Sequence, residues 1–463
     1  MFESFEVVGL WWTPEAPERK ISGTLSYDPE DGLRLSLIGV LSNTDVFQSS
    51  EEFDVILGMP SNGQPITLLN CFVSQSNMGF PGFATETLFA HASLSGHHFP
   101  DRSSVTLKTV QVELSGLDEW CSFDGFTLSW SNESPFRTII EYQKPSPIVV
   151  PLREDLHLTF DVSVKGPTKK YMQASASIEQ STILVFKYAS EVAFEVALAD
   201  IQRIRQFLTM ATGKAPVLKQ VMATTETNRQ TVTEKVYHPA ISIVYPAPLQ
   251  THRGARNLLP HELLFTLRDL EDAPAKVLET WYANAKLLKP IYDLYFAIRG
   301  DEKNMGVEFR FLSVCQALES FHRRWIGGVD LPEDEHQARL QAILTSCPNA
   351  HRDWLARQLD FSNQLRLRAR LKQLLKPFQT SLVAFIPDRR RFVDRTVTLR
   401  NYLTHYDAKE PVTIDGEELY WLTERLALLL EASLLHSMGF DGENIASFFK
   451  RNPRIESKFS LAT

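Results

Sequence analysis

Alternation of apolar and polar positions marks the first third of the chain. Residues 21–27 and 33–37 alternate in this way, and Asp31-Gly32 lies between them. The pattern predicts a β-hairpin, because successive side chains of a strand point to opposite faces and Asp-Gly favours a tight turn. Further strand-like segments lie at 5–12, 53–57, 66–74, 85–91, 105–114, 126–131 and 156–164. Short strands at this spacing predict a sandwich or a barrel.

The pattern becomes mixed over the next hundred residues. An apolar strand is predicted at 183–188, a helix at 190–210 that ends near Gly213, and a small β unit over 216–246. Together with the strands before them, these elements predict one β-rich N-terminal domain over residues 1–265.

From residue 261 onward the apolar positions recur at helical spacing. Helices are predicted at 261–270, 274–298, 305–325, 333–346, 349–375, 377–386, 388–406 and 416–438. Gly439 is suited to end the last of them, and the polar segment 451–463 is predicted to fray. The expected fold class is therefore α+β, with an all-α helical bundle over residues 266–463 after the β-rich domain.

Composition narrows the class of protein. The chain has 463 residues, of which 43% are hydrophobic and 22% charged, as in soluble globular proteins with about two domains. Four scattered cysteines fit a reducing compartment better than a disulfide framework or a zinc knuckle. The first residues do not resemble a secretory signal, and the apolar segment 426–435 is too short to span a bilayer. We therefore expect a cytoplasmic protein without a membrane segment.

Charge is distributed unevenly along the chain. The whole chain carries a net charge of −8, yet residues 351–400 contain twelve lysines and arginines against four acids, a net of +8. A basic segment in an acidic protein indicates a surface for a polyanion such as RNA, and a solvated helical surface balanced by acidic neighbours is the alternative. The candidate RNA-binding residues are Arg366, Arg368, Arg370, Lys372, Arg389, Arg390, Arg391 and Arg395.

The predicted helix at 388–406 carries the candidate chemistry. Asp388 can cap its first turn, and Arg400, Asn401 and His405 share its polar side. Arginine offers forked donors to phosphate oxygens, histidine exchanges protons near neutral pH, and asparagine can orient a ring or a bound oxygen. These groups suit cleavage of RNA, which brings its own nucleophile in the 2′-hydroxyl. An ordinary solvated helix face is the alternative for so short a pattern.

Arg400, Asn401 and His405, within the string 397–407, resemble the signature of HEPN domains, which are all-helical and include many metal-independent ribonucleases. The string 311–324, FLSVCQALESFHRR, resembles the first helix of the ApeA-like HEPN branch. In that branch a β-rich N-terminal domain precedes the HEPN domain, and the proteins act in bacterial abortive-infection defence against phage. The resemblance extends over the whole chain.

This resemblance implies a function and a set of site residues. Arg400, Asn401 and His405 would be catalytic. Two residues are candidates to support them: Glu319 could pair with Arg400 or orient His405, with a surface pair to Arg323 or Arg324 as the alternative, and Tyr406 could stack on a base, with helix packing as the alternative. No metal or other cofactor is implied. The implied partners are RNA, a second copy of the HEPN domain in a homodimer, and a phage-derived trigger sensed by the N-terminal domain; no membrane is implied.

Two other classes of function remain open from the sequence. A non-catalytic RNA- or protein-binding module could keep the HEPN fold, and a DNA-binding regulator could use the basic helices.

Overall fold

The computed structural model describes residues 2–41, 52–78, 82–132, 135–169, 176–232, 234–246, 258–270, 273–300, 304–405 and 415–460. The chain folds into two compact units, Met1–Glu279 and Thr280–Thr463. We call them the N-terminal unit and the helical unit.

The N-terminal unit begins with a closed barrel. Its strands are Phe5–Trp12 (β1), Ile21–Asp28 (β2), Gly32–Ile38 (β3), Glu52–Pro60 (β4), Ile66–Met78 (β5) and Ala84–Ser95 (β6). They pair in the order β6-β3-β2-β1-β4-β5, and β5 pairs again with β6 to close the ring. The predicted β2–β3 hairpin is confirmed, and Gly32 turns it at a φ of +77°. Closure leaves these strands without a free edge.

Trp11 fills the inside of this barrel. Its side chain is fully buried, and its indole N–H donates to the carbonyl of Gly23 at 3.1 Å. The ring lies against the backbone of Gly58, where an added Cβ would come within 2.2 Å of the ring carbons. A glycine at this position therefore makes room for the largest side chain of the barrel core.

Ten further strands are described after β6 along the chain, and six of them continue the sheet. These strands are Thr106–Leu114 (β7), Phe126–Ser131 (β8), Arg137–Tyr142 (β9), Ile148–Arg153 (β10), Leu156–Lys169 (β11), Ala176–Ala193 (β12), Leu218–Thr224 (β13), Gln230–Val232 (β14), Lys235–Tyr237 (β15) and Ile241–Val244 (β16). The order beyond β6 is β16-β13-β7-β12-β11-β10, whereas β8–β9 and β14–β15 form separate hairpins. The mostly-β fold class predicted for this part of the chain is confirmed.

Two helices, Leu117–Cys121 (α1) and Phe194–Thr212 (α2), complete the N-terminal unit. The helix predicted at 190–210 begins only at Phe194, because β12 continues through Ala193. Gly213 ends it at a φ of +70°, as the sequence predicts. A predicted helix at 261–270 is wrong: this segment forms two 3-10 turns, Pro260–Glu262 and Leu267–Leu270. The backbone N–H and the hydroxyl of Thr266 both donate to the Asp269 carboxylate, which holds the second turn and competes with a continuous helix.

The helical unit contains the all-α region that the sequence predicts. Its helices are Pro274–Gly300 (α3), which begins in the N-terminal unit, Val307–Phe321 (α4), Glu333–Ser346 (α5), Asn349–Leu359 (α6), Leu367–Leu375 (α7), Arg389–His405 (α8), Gly416–Ser437 (α9), Gly442–Arg451 (α10) and Pro453–Ser460 (α11). A π-helical turn, His322–Ile326, follows α4. Helix α4 contacts both α8 and α9, and α7 contacts α8. Helix α8 therefore lies beside α4 and α7.

Two helix predictions in this unit are wrong. The segment 349–375 is broken between α6 and α7, where buried Asn363 accepts a hydrogen bond from the Leu331 N–H at 2.9 Å and donates to the Leu331 carbonyl at 3.2 Å. This side chain joins two loops and stabilises the break. The segment 377–386 forms a 3-10 turn, Lys376–Phe378, followed by turns, and Pro387 ends it.

The C-terminal segment is ordered where fraying is predicted. Helix α11 buries Phe459 against Phe385, with ring centroids 5.3 Å apart, and against Trp421 at 6.2 Å. Lys458 donates to the buried carboxylate of Glu424 at 2.6 Å. Buried Phe459, together with the Lys458–Glu424 contact, therefore anchors this helix.

We expect Phe459→Ala to lower the free energy of unfolding of the helical unit by about 3 kcal/mol, because it leaves a cavity between two aromatic rings. Urea unfolding followed by helical circular dichroism measures the change. Glu456→Ala, an exposed position on the same helix, is the control and should cost less than about 0.5 kcal/mol. Equal stability of the two variants would show that α11 adds nothing to the core.

Candidate active site

Helix α8 is oriented by one buried side. Phe392, Val393, Thr396, Leu399 and Leu403 are buried, and the opposite side is polar. The helix begins where Asp388 accepts a hydrogen bond from the Arg391 N–H at 2.9 Å, which confirms the predicted cap. The rotation of the helix is therefore set by its apolar stripe: Asn401 and His405 are exposed on the far side, and Arg400 lies at the edge of the stripe, next to α4.

Arg400 is held by a carboxylate of the neighbouring helix. Its Nη2 donates to Oε1 of Glu319 on α4 at 3.4 Å, and its Nη1 donates to Oδ1 of Asn401, also at 3.4 Å. The side chains of Arg400 and Glu319 are 32% and 22% exposed. Both distances lie at the outer limit for hydrogen bonds, so this contact orients the guanidinium without saturating it.

Asn401 and His405 are exposed one turn apart on the same side of α8, and His405 is the last residue of the helix. The hydroxyl of Thr404 donates to the Arg400 carbonyl at 2.7 Å and adds another polar group to this end of the helix. Arg400 and His405 are five residues apart, or about 140° around the helix axis and about 7.5 Å along it. Tyr406, the other predicted supporting residue, lies outside the described residues.

Near Glu319 lies a buried network that joins α7 to the π-helical turn after α4. His322 is fully buried, and its Nε2 lies 2.6 Å from Oε1 of Gln373, while Nη1 of Arg370 lies 3.0 Å from its Nδ1. An arginine only donates, so Nδ1 accepts and Nε2 carries the proton. Burial and the charge of Arg370 lower the pKa of His322, which keeps this imidazole neutral.

Arg370 therefore belongs to this internal network and not to the surface. It is 4% exposed, and its Nε also donates to the Leu365 carbonyl at 2.9 Å. The sequence places Arg370 among the RNA-binding candidates, and the structure gives it a packing role between α4 and α7.

The remaining basic candidates, apart from Arg366, fall into two groups. Arg395 donates to both oxygens of Glu418, at 2.9 and 2.5 Å, and Arg391 lies 4.0 Å from the same carboxylate. The hydrogen bonds from Arg395 lower the pKa of Glu418, which therefore stays ionised. This acid neutralises part of the charge on that side of α8.

The second group lines a cleft between α7 and α8. Arg368, Lys372, Arg389 and Arg390 lie there, and Arg368 is paired with Asp394. Arg366 is exposed where α7 begins. Lys376 also lines the cleft and is absent from the candidates chosen from the sequence. Its position four residues after Lys372 is the signal that could have identified it.

Two structural features are absent from the described residues. These residues contain no group of three or more histidines, cysteines, aspartates or glutamates arranged to hold a metal ion. None of the helices in the described part is long and apolar enough to cross a membrane.

Comparison with known families identifies both parts of the chain. The ApeA N-terminal domain 1 matches residues 6–281, and the Apea-like HEPN domain matches residues 312–444. No curated protein and no solved structure matches the chain. The second match includes Glu319, Arg400, Asn401 and His405, and the first spans more than half of the 463 residues. The chain therefore belongs to the ApeA family, with an ApeA N-terminal domain followed by an Apea-like HEPN domain.

Proposed function

We propose that this protein is an endoribonuclease that cuts RNA without a metal ion and acts as the toxic effector of abortive infection. The proposal rests on the arrangement of residues on α8. Glu319 orients Arg400, and Asn401 and His405 are exposed nearby on the same helix. HEPN domains are generally ribonucleases, and the family match supports this class of activity.

In the reaction we propose, His405 takes the proton from a ribose 2′-hydroxyl. The 2′-oxygen then forms a bond to the adjacent phosphorus, and the bond from phosphorus to the 5′-oxygen breaks. A protonated histidine gives its proton to that leaving oxygen. The products are a 2′,3′-cyclic phosphate and a 5′-hydroxyl end.

Arg400 stabilises the charge that builds on the phosphate oxygens as phosphorus becomes five-coordinate. Its long contacts with Glu319 and Asn401 leave it able to turn toward a phosphate. Asn401, one turn before His405, positions either the imidazole or the phosphate. Glu319 does not touch the RNA in this scheme and acts by positioning Arg400.

We further propose that two copies combine their HEPN domains. One copy offers a single histidine and a single arginine for both proton transfers and the charge, whereas two copies related by a two-fold axis supply one histidine for each role and two arginines for the charge. The N-terminal unit would sense a phage-derived trigger and restrain the nuclease until then. This last assignment rests on the family.

We expect His405→Ala and Arg400→Ala each to lower RNA cleavage by at least about a hundredfold, because they remove proton transfer and charge stabilisation respectively. Purified protein is assayed on RNA and on DNA with EDTA present. Thr398→Ala, exposed on the same helix, is the control and should keep wild-type rates. Wild-type cleavage by a folded His405→Ala protein would contradict the proposal, and cleavage of DNA alone would favour a different substrate.

Glu319→Gln keeps the shape of the side chain and removes its charge. We expect it to lower kcat about tenfold with little change in KM, because misplacing Arg400 weakens the transition state more than substrate binding. Steady-state kinetics separates the two constants, and Glu335→Gln on α5 is the charge-matched control. A change confined to KM would indicate that Glu319 affects binding only.

We expect a mixture of His405→Ala and Arg400→Ala proteins to be more active than either variant alone, because mixed dimers keep one His405 and one Arg400. The variants are mixed, allowed to exchange subunits and assayed together. Each variant mixed with fresh copies of itself is the control. Wild-type nuclease activity from a strictly monomeric protein would rule out the shared site.

A further inference from the structure

A basic cleft lies between α7, with the 3-10 turn that follows it, and α8. Its volume is about 530 Å³. The charged side chains that line it are Arg368, Lys372, Lys376, Arg389, Arg390 and Asp394. Leu375 and Val393, both buried, lie at its base, so the two walls are fixed by the packing of the helices.

Among the described residues, most of the positive charge in this cleft is not neutralised by a carboxylate. Asp394 is paired with Arg368. In the part of the chain that the structure describes, Lys372, Lys376, Arg389 and Arg390 have no carboxylate partner. Four unpaired cations on facing walls make a site for an anion with more than one charge.

The start of α8 adds to this field. A helix N-terminus carries partial positive charge, which acidic side chains in the first turn usually offset. Helix α8 has no acidic residue in its first turn and begins with Arg389, Arg390 and Arg391. Asp388 caps the helix and offsets part of this charge, and the three arginines that follow it leave the first turn basic.

The cleft and the catalytic motif lie on the same side of α8. Arg389 precedes Arg400 by eleven residues, and Arg390 precedes Asn401 by the same number. Eleven residues correspond to about three full turns plus about 20°, and to about 16 Å along the axis. A strand that runs along this side of the helix therefore meets both places.

We infer that the cleft binds the phosphate–ribose backbone of the RNA strand several nucleotides away from the bond that is cut. The inference rests on the proposed ribonuclease function and adds to it a second contact with the substrate. Phosphates advance about 3.4 Å per nucleotide in a stacked strand, so about five nucleotides separate the two contacts, and roughly half as many in an extended strand. Single-stranded RNA long enough to span both is the preferred substrate class.

Binding to RNAs of increasing length tests this inference without relying on cleavage. The full-length His405→Ala protein is titrated with single-stranded RNAs from about two to about twelve nucleotides long. We expect the affinity to rise by about tenfold or more at the RNA length at which one strand can first contact both the motif and the cleft. Adding Lys372→Gln and Arg390→Gln should remove this step and reduce the slope of log affinity against log salt by about 1.4.

A control protein loses the same amount of charge elsewhere. It carries His405→Ala with Arg357→Gln and Lys450→Gln, both exposed positions outside the cleft, and should keep the step. An affinity that rises evenly with length, or a step that survives the cleft substitutions, overturns the inference.

Cleavage by the wild-type protein is measured separately on the same RNAs. A length step in binding together with an absence of cleavage would refute the proposed catalysis and leave the RNA site in the cleft standing. Cleavage without a length step in binding would refute the cleft and leave the proposed catalysis standing.

Discussion

The one-sided burial of α8 is the constraint on which the candidate site depends. Phe392, Leu399 and Leu403 pack inward, and this packing alone decides which residues of the helix face outward. Helix α4 lies against the same helix and brings Glu319 to Arg400. The polar groups that we assign to chemistry thus take their positions from apolar contacts, which are far stronger in sum than the long ionic contact at 3.4 Å.

The sequence predicts those elements whose pattern is local. Helix α8, its Asp388 cap, α5 and the β2–β3 hairpin follow from spacing and turn residues that lie within a few positions of one another. It fails where a distant contact decides. The break between α6 and α7 depends on Asn363 joining a loop about thirty residues earlier, and α11 depends on the rings that receive Phe459. Neither contact leaves a periodic signal.

The candidate site shows the same division. The motif of Arg400, Asn401 and His405 is readable because one helix carries all of it. In contrast, the sequence gives the number of charged residues but does not show which of them are exposed and which are buried or paired. Arg370 is buried in a network with His322, and Arg395 is neutralised by Glu418. Lys372 and Arg390, in contrast, have no carboxylate partner among the described residues. Net charge over a segment therefore overstates the surface that a polyanion would meet.

The eleven-residue spacing along α8 has a consequence for how this helix can change over evolution. Residues 395–399 separate the cleft from the motif, and substitutions on their outer face leave the register intact. Loss or gain of one residue there would turn one end by about 100° relative to the other and shift it by about 1.5 Å. The helix could then no longer bury its whole apolar stripe and also keep the cleft and the motif on one side. We therefore expect substitutions in this segment to be tolerated and insertions or deletions there to disrupt the site.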